Sequence, residues 1–112
     1  MQFLVIGLDG TDEQAMDRRM AARQAHIQLG EELKQAGNLW FGAALLSDSG
    51  QMNGSMYLLD FKTEEELQAW LAKEPYVKGE VWKQIEIRRA SVRDPWQFSQ
   101  PREFYEARIA KD

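Results

Sequence analysis

The chain is 112 residues long, carries a formal net charge of -4 and contains no cysteine. That length fits one domain with a single core, and the lack of cysteine excludes disulfides, thiolate metal sites and a cysteine nucleophile. The acidic balance argues against nucleic acid, whose binders carry a basic face, and no apolar run is long enough to cross a bilayer.

Gln2 to Leu8 reads as a strand, β-branched and aromatic, with apolar residues at both parities and therefore two buried faces. No basic leader precedes it, so no signal peptide is expected and the chain reads as cytoplasmic. Asp9-Gly10 turns the chain. Thr11, with Gln14 three residues on, has the spacing of a capping box and predicts a helix from there to about Ala36, stopped by Gly37. Gly30 inside it costs about 1 kcal/mol relative to alanine. Leu39 to Leu46 is a second strand, Ser47 to Gly54 a hairpin loop, and Ser55 to Phe61 a third strand. Thr63 and Glu66 form a second capping box, opening a short helix with Leu67, Trp70 and Leu71 on one face and Pro75 as its stop. Tyr76 to Glu80 is expected as a loop, and Val81 to Val92 as a fourth strand, charged enough to lie at an edge. Asp94-Pro95 ends the domain at about residue 93. The extension 94–112 carries Trp96, Phe98, Phe104 and Tyr105, with a short helix predicted from Pro101 to about Ala110.

The order β-α-β-β-α-β is that of the ferredoxin-like α+β fold, one four-stranded antiparallel sheet with both helices on one face. Two helices cover one side of such a sheet, yet Leu4, Ile6, Met56 and Leu58 would put apolar side chains on the other. An apolar face of that size predicts a homodimer, with a second copy packed on the uncovered face. The competing expectation is that the aromatic tail folds back over it.

Two residues carry the case for chemistry. His26, the single histidine, falls on the apolar stripe of the long helix with Ala22, Leu29 and Leu33, where it is either a buried structural imidazole or part of a pocket wall. Glu74 continues the apolar face of the short helix, three residues after Leu71 and four after Trp70; the plainer reading is a solvated glutamate at a helix end. In this fold the two helices are expected to lie side by side, parallel, and to start from the same end of the sheet, so that His26 lies ~22 Å along the first and Glu74 ~16 Å along the second, within about a turn of one level. A carboxylate beside an imidazole fixes its tautomer and raises its basicity, as an acid–base pair requires. Arg23 and Tyr76 are candidates for holding a substrate, Arg23 being equally readable as a solvated cation and Tyr76 as packing. Arg19 could also bind an anionic substrate but reads first as solvated on the helix flank. Trp40, Trp70 and Trp82 read as core or dimer interface. The acidic residues lack partner histidines at ligand spacing, so no metal is expected, and no cofactor is implied.

The run Arg23-Gln24-Ala25-His26, Gly42 after the aromatics of the second strand, Gly54-Ser55 and Glu74-Pro75-Tyr76 followed by Gly79 and Val81 together resemble the YciI-like (YCII-related) family. The resemblance covers Gln2 to about Val92. It implies a fold similar to muconolactone isomerase and other dimeric α/β barrels, and it implies a histidine and an acidic residue as an active-site pair, matching His26 and Glu74. One activity found in the family is dehydrochlorination of a chlorinated hydroxyquinol. Two positions depart from the family pattern: Glu74 stands where aspartate is usual, and Ala43 where proline often follows the glycine. The expectation is therefore a small cofactor-free lyase or isomerase that moves protons on a small polar or aromatic molecule. The alternatives are a non-catalytic homodimeric domain that binds a small molecule in the same cleft, or an interaction module that works through its aromatic tail.

Overall fold

The structure, a computed structural model, describes residues 1–96 and 98–109. Four strands, β1 (Gln2–Asp9), β2 (Leu39–Leu46), β3 (Met52–Asp60) and β4 (Trp82–Ala90), form one sheet in the order β2-β3-β1-β4. Every neighbouring pair is antiparallel. The long helix α1 (Ala15–Gln35) joins β1 to β2, and α2 (Glu64–Lys73) with a single turn α3 (Pro75–Lys78) joins β3 to β4. This is the ferredoxin-like arrangement. β4 lies at an edge, as its charged sequence predicts, and β2 forms the other.

One side of the sheet is the core. Phe3 and Val5 of β1, Tyr57 and Leu59 of β3, and Trp82 of β4 are buried beneath Leu67, Trp70 and Leu71 of α2 and Tyr76 of α3. Alternation along β1 is strict, with Phe3, Val5 and Gly7 buried while Leu4 and Ile6 are half-buried and Leu8 is exposed. The expectation that both faces of β1 are buried therefore fails within the single chain. Gly7 has a specific reason: a Cβ there would lie 2.3 Å from the Trp82 ring, so the indole packs on bare backbone.

Local signals fared unevenly. Thr63 caps α2, accepting from the Glu66 amide at 3.2 Å, while the Glu66 carboxylate reaches back to the Lys62 amide. Thr11 caps nothing. α1 starts four residues later, and the Asp12 side chain accepts from the Gln14 amide and holds Arg18 through both carboxylate oxygens. Asp12, a charged acceptor one residue on, takes the turn, and the Arg18 guanidinium holds its carboxyl well below the usual carboxylate range. The third strand starts at Met52, earlier than predicted, because Gly54 and Ser55 pair with both β1 and β2. The predicted loop Tyr76–Glu80 is instead the turn α3, with Pro75 at its first position, where a missing amide costs nothing.

In the tail, α4 spans Arg102–Ile109; the predicted end at Ala110 lies outside the described residues. Trp96 lies beside Trp40 with ring centroids 5.7 Å apart. Among the described residues the tail borders the uncovered sheet face at Phe41, which shares a hollow with Pro95, Phe98 and Tyr105, and Trp96 and Phe98 are 68% and 72% exposed.

Candidate functional site

The site begins at the junction between α2 and α3. Glu74 has extended backbone (φ -64°, ψ 121°), ending α2 and capping α3, and its Oε1 accepts the Tyr76 amide at 3.0 Å. A proline at position 75 enforces this, since it disfavours helical backbone at the residue before it. Glu74 is therefore no frayed, solvated glutamate. It is 1% exposed, and the same Oε1 lies 2.5 Å from Nδ1 of His26.

The two residues meet by a different route from the one the sequence suggested. β2 and β1 run the same way, so α1 runs back between them; β3 runs opposite to β1, so α2 runs opposite to α1. The helices start from opposite ends of the sheet. The α3 turn packs against α1, close enough that a Cβ on Gly79 would sit 3.5 Å from the Ala22 Cβ. That contact carries Glu74 to the middle of α1, where His26 lies.

Tyr76 stacks on the imidazole, with ring centroids 3.7 Å apart and planes within 7°. The Tyr57 hydroxyl lies 2.6 Å from Nε2 and 3.4 Å from Nδ1. A group straight ahead of Nε2 would be farther from Nδ1, so the oxygen sits to the side of the nitrogen's in-plane axis. Burial pushes the Tyr57 phenol far above the ordinary tyrosine value, and the Glu74 charge adds to this.

Arg19 corrects an expectation. It is 2% exposed, not solvated. Its guanidinium pairs with Asp9 at 2.6 Å, donates to the Gly54 carbonyl at 2.7 Å and Ser55 Oγ at 3.0 Å, and reaches the Tyr76 hydroxyl at 3.4 Å. Trp82 Nε1 donates to the same Ser55 Oγ. Burial works against the charge on Arg19, and the Asp9 carboxylate more than offsets it, leaving the guanidinium's pKa raised. This network holds the far end of the Tyr76 ring while the ring faces His26. Burial also raises the Tyr76 phenol's pKa, against the opposing pull of Arg19 and Arg23.

A cavity of about 300 Å³ opens between α1 and β2 and β3, lined by Arg19, Arg23, His26, Tyr57 and Tyr76 among others. Gly42 and Gly30 also border it. A Cβ at Gly42 would approach the Tyr57 ring to 2.9 Å, so β2 needs glycine where that ring passes. Arg23 is exposed at the rim and has no ion-pair partner among the described residues. The structure thus brings all four sequence candidates, His26, Glu74, Arg23 and Tyr76, to one place. Sequence reasoning missed Tyr57, which alternates inward on β3 like an ordinary core aromatic, and Arg19, whose partner Asp9 is ten residues away. Among the described residues no three of His, Cys, Asp and Glu converge as metal ligands, and no helix is long and apolar enough to cross a membrane.

Residues 1–91 match the family model described as the YCII-related domain. None of the curated proteins matches by sequence. Among solved structures, the chain is similar to the 5-chloro-2-hydroxyhydroquinone dehydrochlorinase of Burkholderia phenoliruptrix AC1100, solved in complex with 2,5-dihydroxybenzoquinone. The TM-score is 0.71 at 21% identity, covering 81% of this chain and 94% of that one. It is also similar to a dimeric ferredoxin-like protein of unknown function from Jannaschia sp. CCS1, with a TM-score of 0.50 at 18% identity, covering 81% of this chain and 98% of that one. At these identities the likeness shows the fold.

Proposed function

The chain belongs to the family of YCII-related domains, and we propose that within it this protein is an enzyme, moving protons on a small polar or aromatic molecule with His26 and Glu74. The observation that carries this reading is the 2.5 Å contact between His26 Nδ1 and a Glu74 carboxylate that is itself removed from water, at the wall of a cavity. A carboxylate oxygen accepts, so the shared proton belongs to Nδ1 and Nε2 remains the nitrogen for a substrate. Proton uptake at Nε2 makes an imidazolium facing a fixed anion, the arrangement a general base needs. The cavity's aromatic walls, Tyr57 and Tyr76, suit a flat ring, and the unpaired Arg23 suits a negative substituent on it. Eliminations and isomerisations need only such proton transfers, so lyase or isomerase chemistry fits.

The first probe is the substrate of the similar dehydrochlorinase, 5-chloro-2-hydroxyhydroquinone, with chloride release as the readout and unsaturated lactones as a second class. Turnover is expected in the wild type and is expected to fall by at least about 100-fold in His26→Ala, measured at a temperature where circular dichroism shows the variant folded. Turnover that survives in His26→Ala would sink the proposal. Ligand affinity without turnover of any probe would favour the alternative, a binding domain using the same cavity. The protein is further proposed to work as a homodimer through the sheet face that the helices leave open, in the cytoplasm and without a cofactor.

A further inference from the structure

We infer that the Tyr57 hydroxyl is a catalytic group in its own right, a hydrogen-bond donor to the substrate oxygen on which charge gathers while His26 moves the proton. The inference rests on the acid–base reading of His26 and Glu74 and adds a third participant to it.

Position comes first. Tyr57 lies on β3, next to the centre of the sheet, and its ring is confined on several sides. Gly42 of β2 passes beneath it, Trp70 meets it edge-on at 5.6 Å and Trp82 at 6.2 Å. The hydroxyl ends beside Nε2 and off its in-plane axis. A substrate atom placed ahead of Nε2 would therefore find the phenol at its flank, and base and donor would reach two different atoms of one molecule.

Capacity comes second. A phenol has one proton to give and lone pairs to receive, and among the described residues His26 is the only hydrogen-bond partner of this one. The hydroxyl rests against the imidazole. Turning it onto a substrate oxygen takes rotation about one C–O bond, with no movement of the ring. Burial and the Glu74 charge keep the phenol protonated wherever an imidazole can work, so Tyr57 is fitted to donate and not to act as a base. A carboxylic acid or phenol kept neutral in an apolar site is a recurrent partner for a developing oxyanion, and a donor already desolvated and fixed acts at full strength.

With 5-chloro-2-hydroxyhydroquinone, Nε2 takes the proton of the ring hydroxyl beside the chlorine-bearing carbon, becoming imidazolium opposite Glu74, and the O–H electron pair stays as phenolate charge on the oxygen that accepts the Tyr57 hydrogen bond. Nε2 returns the proton to the neighbouring carbon that carries chlorine, so that the oxygen becomes a carbonyl. Nε2 then takes the proton of a second ring hydroxyl, whose electron pair moves through the ring and expels chloride with the C–Cl pair, leaving a hydroxyquinone. Tyr57 keeps its proton throughout.

The test uses Tyr57→Phe, which removes one oxygen, and two probes. With 5-chloro-2-hydroxyhydroquinone, kcat is expected to fall by about 100-fold while KM stays within about threefold. With 2,5-dihydroxybenzoquinone, which carries its negative charge on ring oxygens, Kd is expected to rise at least about tenfold, one hydrogen bond to a charged acceptor. Unchanged kcat, or equal Kd in the two proteins, would overturn the inference. If the wild type turns over nothing but binds 2,5-dihydroxybenzoquinone more tightly than Tyr57→Phe does, the enzyme reading fails and the donor assignment stands. If the wild type binds neither probe at millimolar concentration, both fall. Should Tyr57→Phe not fold, the wild type labelled with 13Cζ-tyrosine decides: the Tyr57 resonance is expected to shift on adding 2,5-dihydroxybenzoquinone, and an unmoved resonance overturns the inference.

Discussion

Arg19 and Asp9 show how much a single pair of side chains can hide from a one-dimensional reading. Each looks like surface when read in place, an arginine early in a helix and an aspartate in an Asp-Gly turn. In the fold their side chains are 3% and 4% exposed and share two hydrogen bonds. Pairing of that kind is decided by where β1 delivers Asp9 relative to the first turns of α1, which no local pattern encodes. The consequence is testable. Asp9→Asn keeps the shape and leaves a buried guanidinium without its counter-charge, a loss of about 3–5 kcal/mol for a broken buried pair. Urea unfolding should show it as a lower midpoint at unchanged slope. A change under 1 kcal/mol would mean that water reaches Arg19 and that the network does not hold Tyr76 in place. His26 and Glu74 were legible as candidates because a lone histidine on an apolar stripe and a carboxylate continuing another are each anomalies of pattern. Tyr57 offered no anomaly, because an inward aromatic on a strand is what a core contains.

Among the elements, the α2–α3 junction does the most for the site, and it was half legible. Pro75 marks the end of one helix as expected, but the same residue starts the next turn, and Glu74 serves both as terminus and as cap. A loop and a single helical turn have the same composition over four residues, so Tyr76–Glu80 could not be distinguished by periodicity. The antiparallel course of α1 and α2 follows from sheet topology alone, which shows that level along a helix is a poor guide unless the helix direction is known. β1 makes a sharper statement at this scale. Gly7 exists to let the Trp82 indole lie on the strand, and that indole donates to Ser55 beneath Arg19. Gly7→Ala inserts a methyl at 2.3 Å from the ring, an overpacking cost of about 1–3 kcal/mol. Thermal unfolding should record the loss, and an unaltered melting temperature would show that Trp82 has room to move.

At the scale of the molecule, the order of elements along the chain and the helix-covered core were legible from alternation and capping, and what covers the second sheet face was not. Leu4, Ile6, Met56 and Leu58 stand half-buried on that face, and Leu8 and Phe41 are exposed beside them. Among the described residues the tail borders it at Phe41. A second copy on this face predicts a dimer in sedimentation equilibrium and a monomer for Ile6→Glu, since an unpaired charge in an apolar interface opposes association. A wild type that sediments as a monomer at every concentration would refute the dimer. The enzyme reading stands apart from that outcome, because every residue named in the site comes from one chain. Its core is the orientation of one imidazole: Nδ1–H toward Glu74, Nε2 open for a substrate. With a single histidine, long-range 1H–15N correlation spectra of the neutral ring carry one unambiguous pattern. The proton is expected on Nδ1, the less favoured tautomer of free histidine, with Nε2 bare. A spectrum with the proton on Nε2 would contradict it, because the carboxylate at 2.5 Å would then hold no hydrogen bond from the ring.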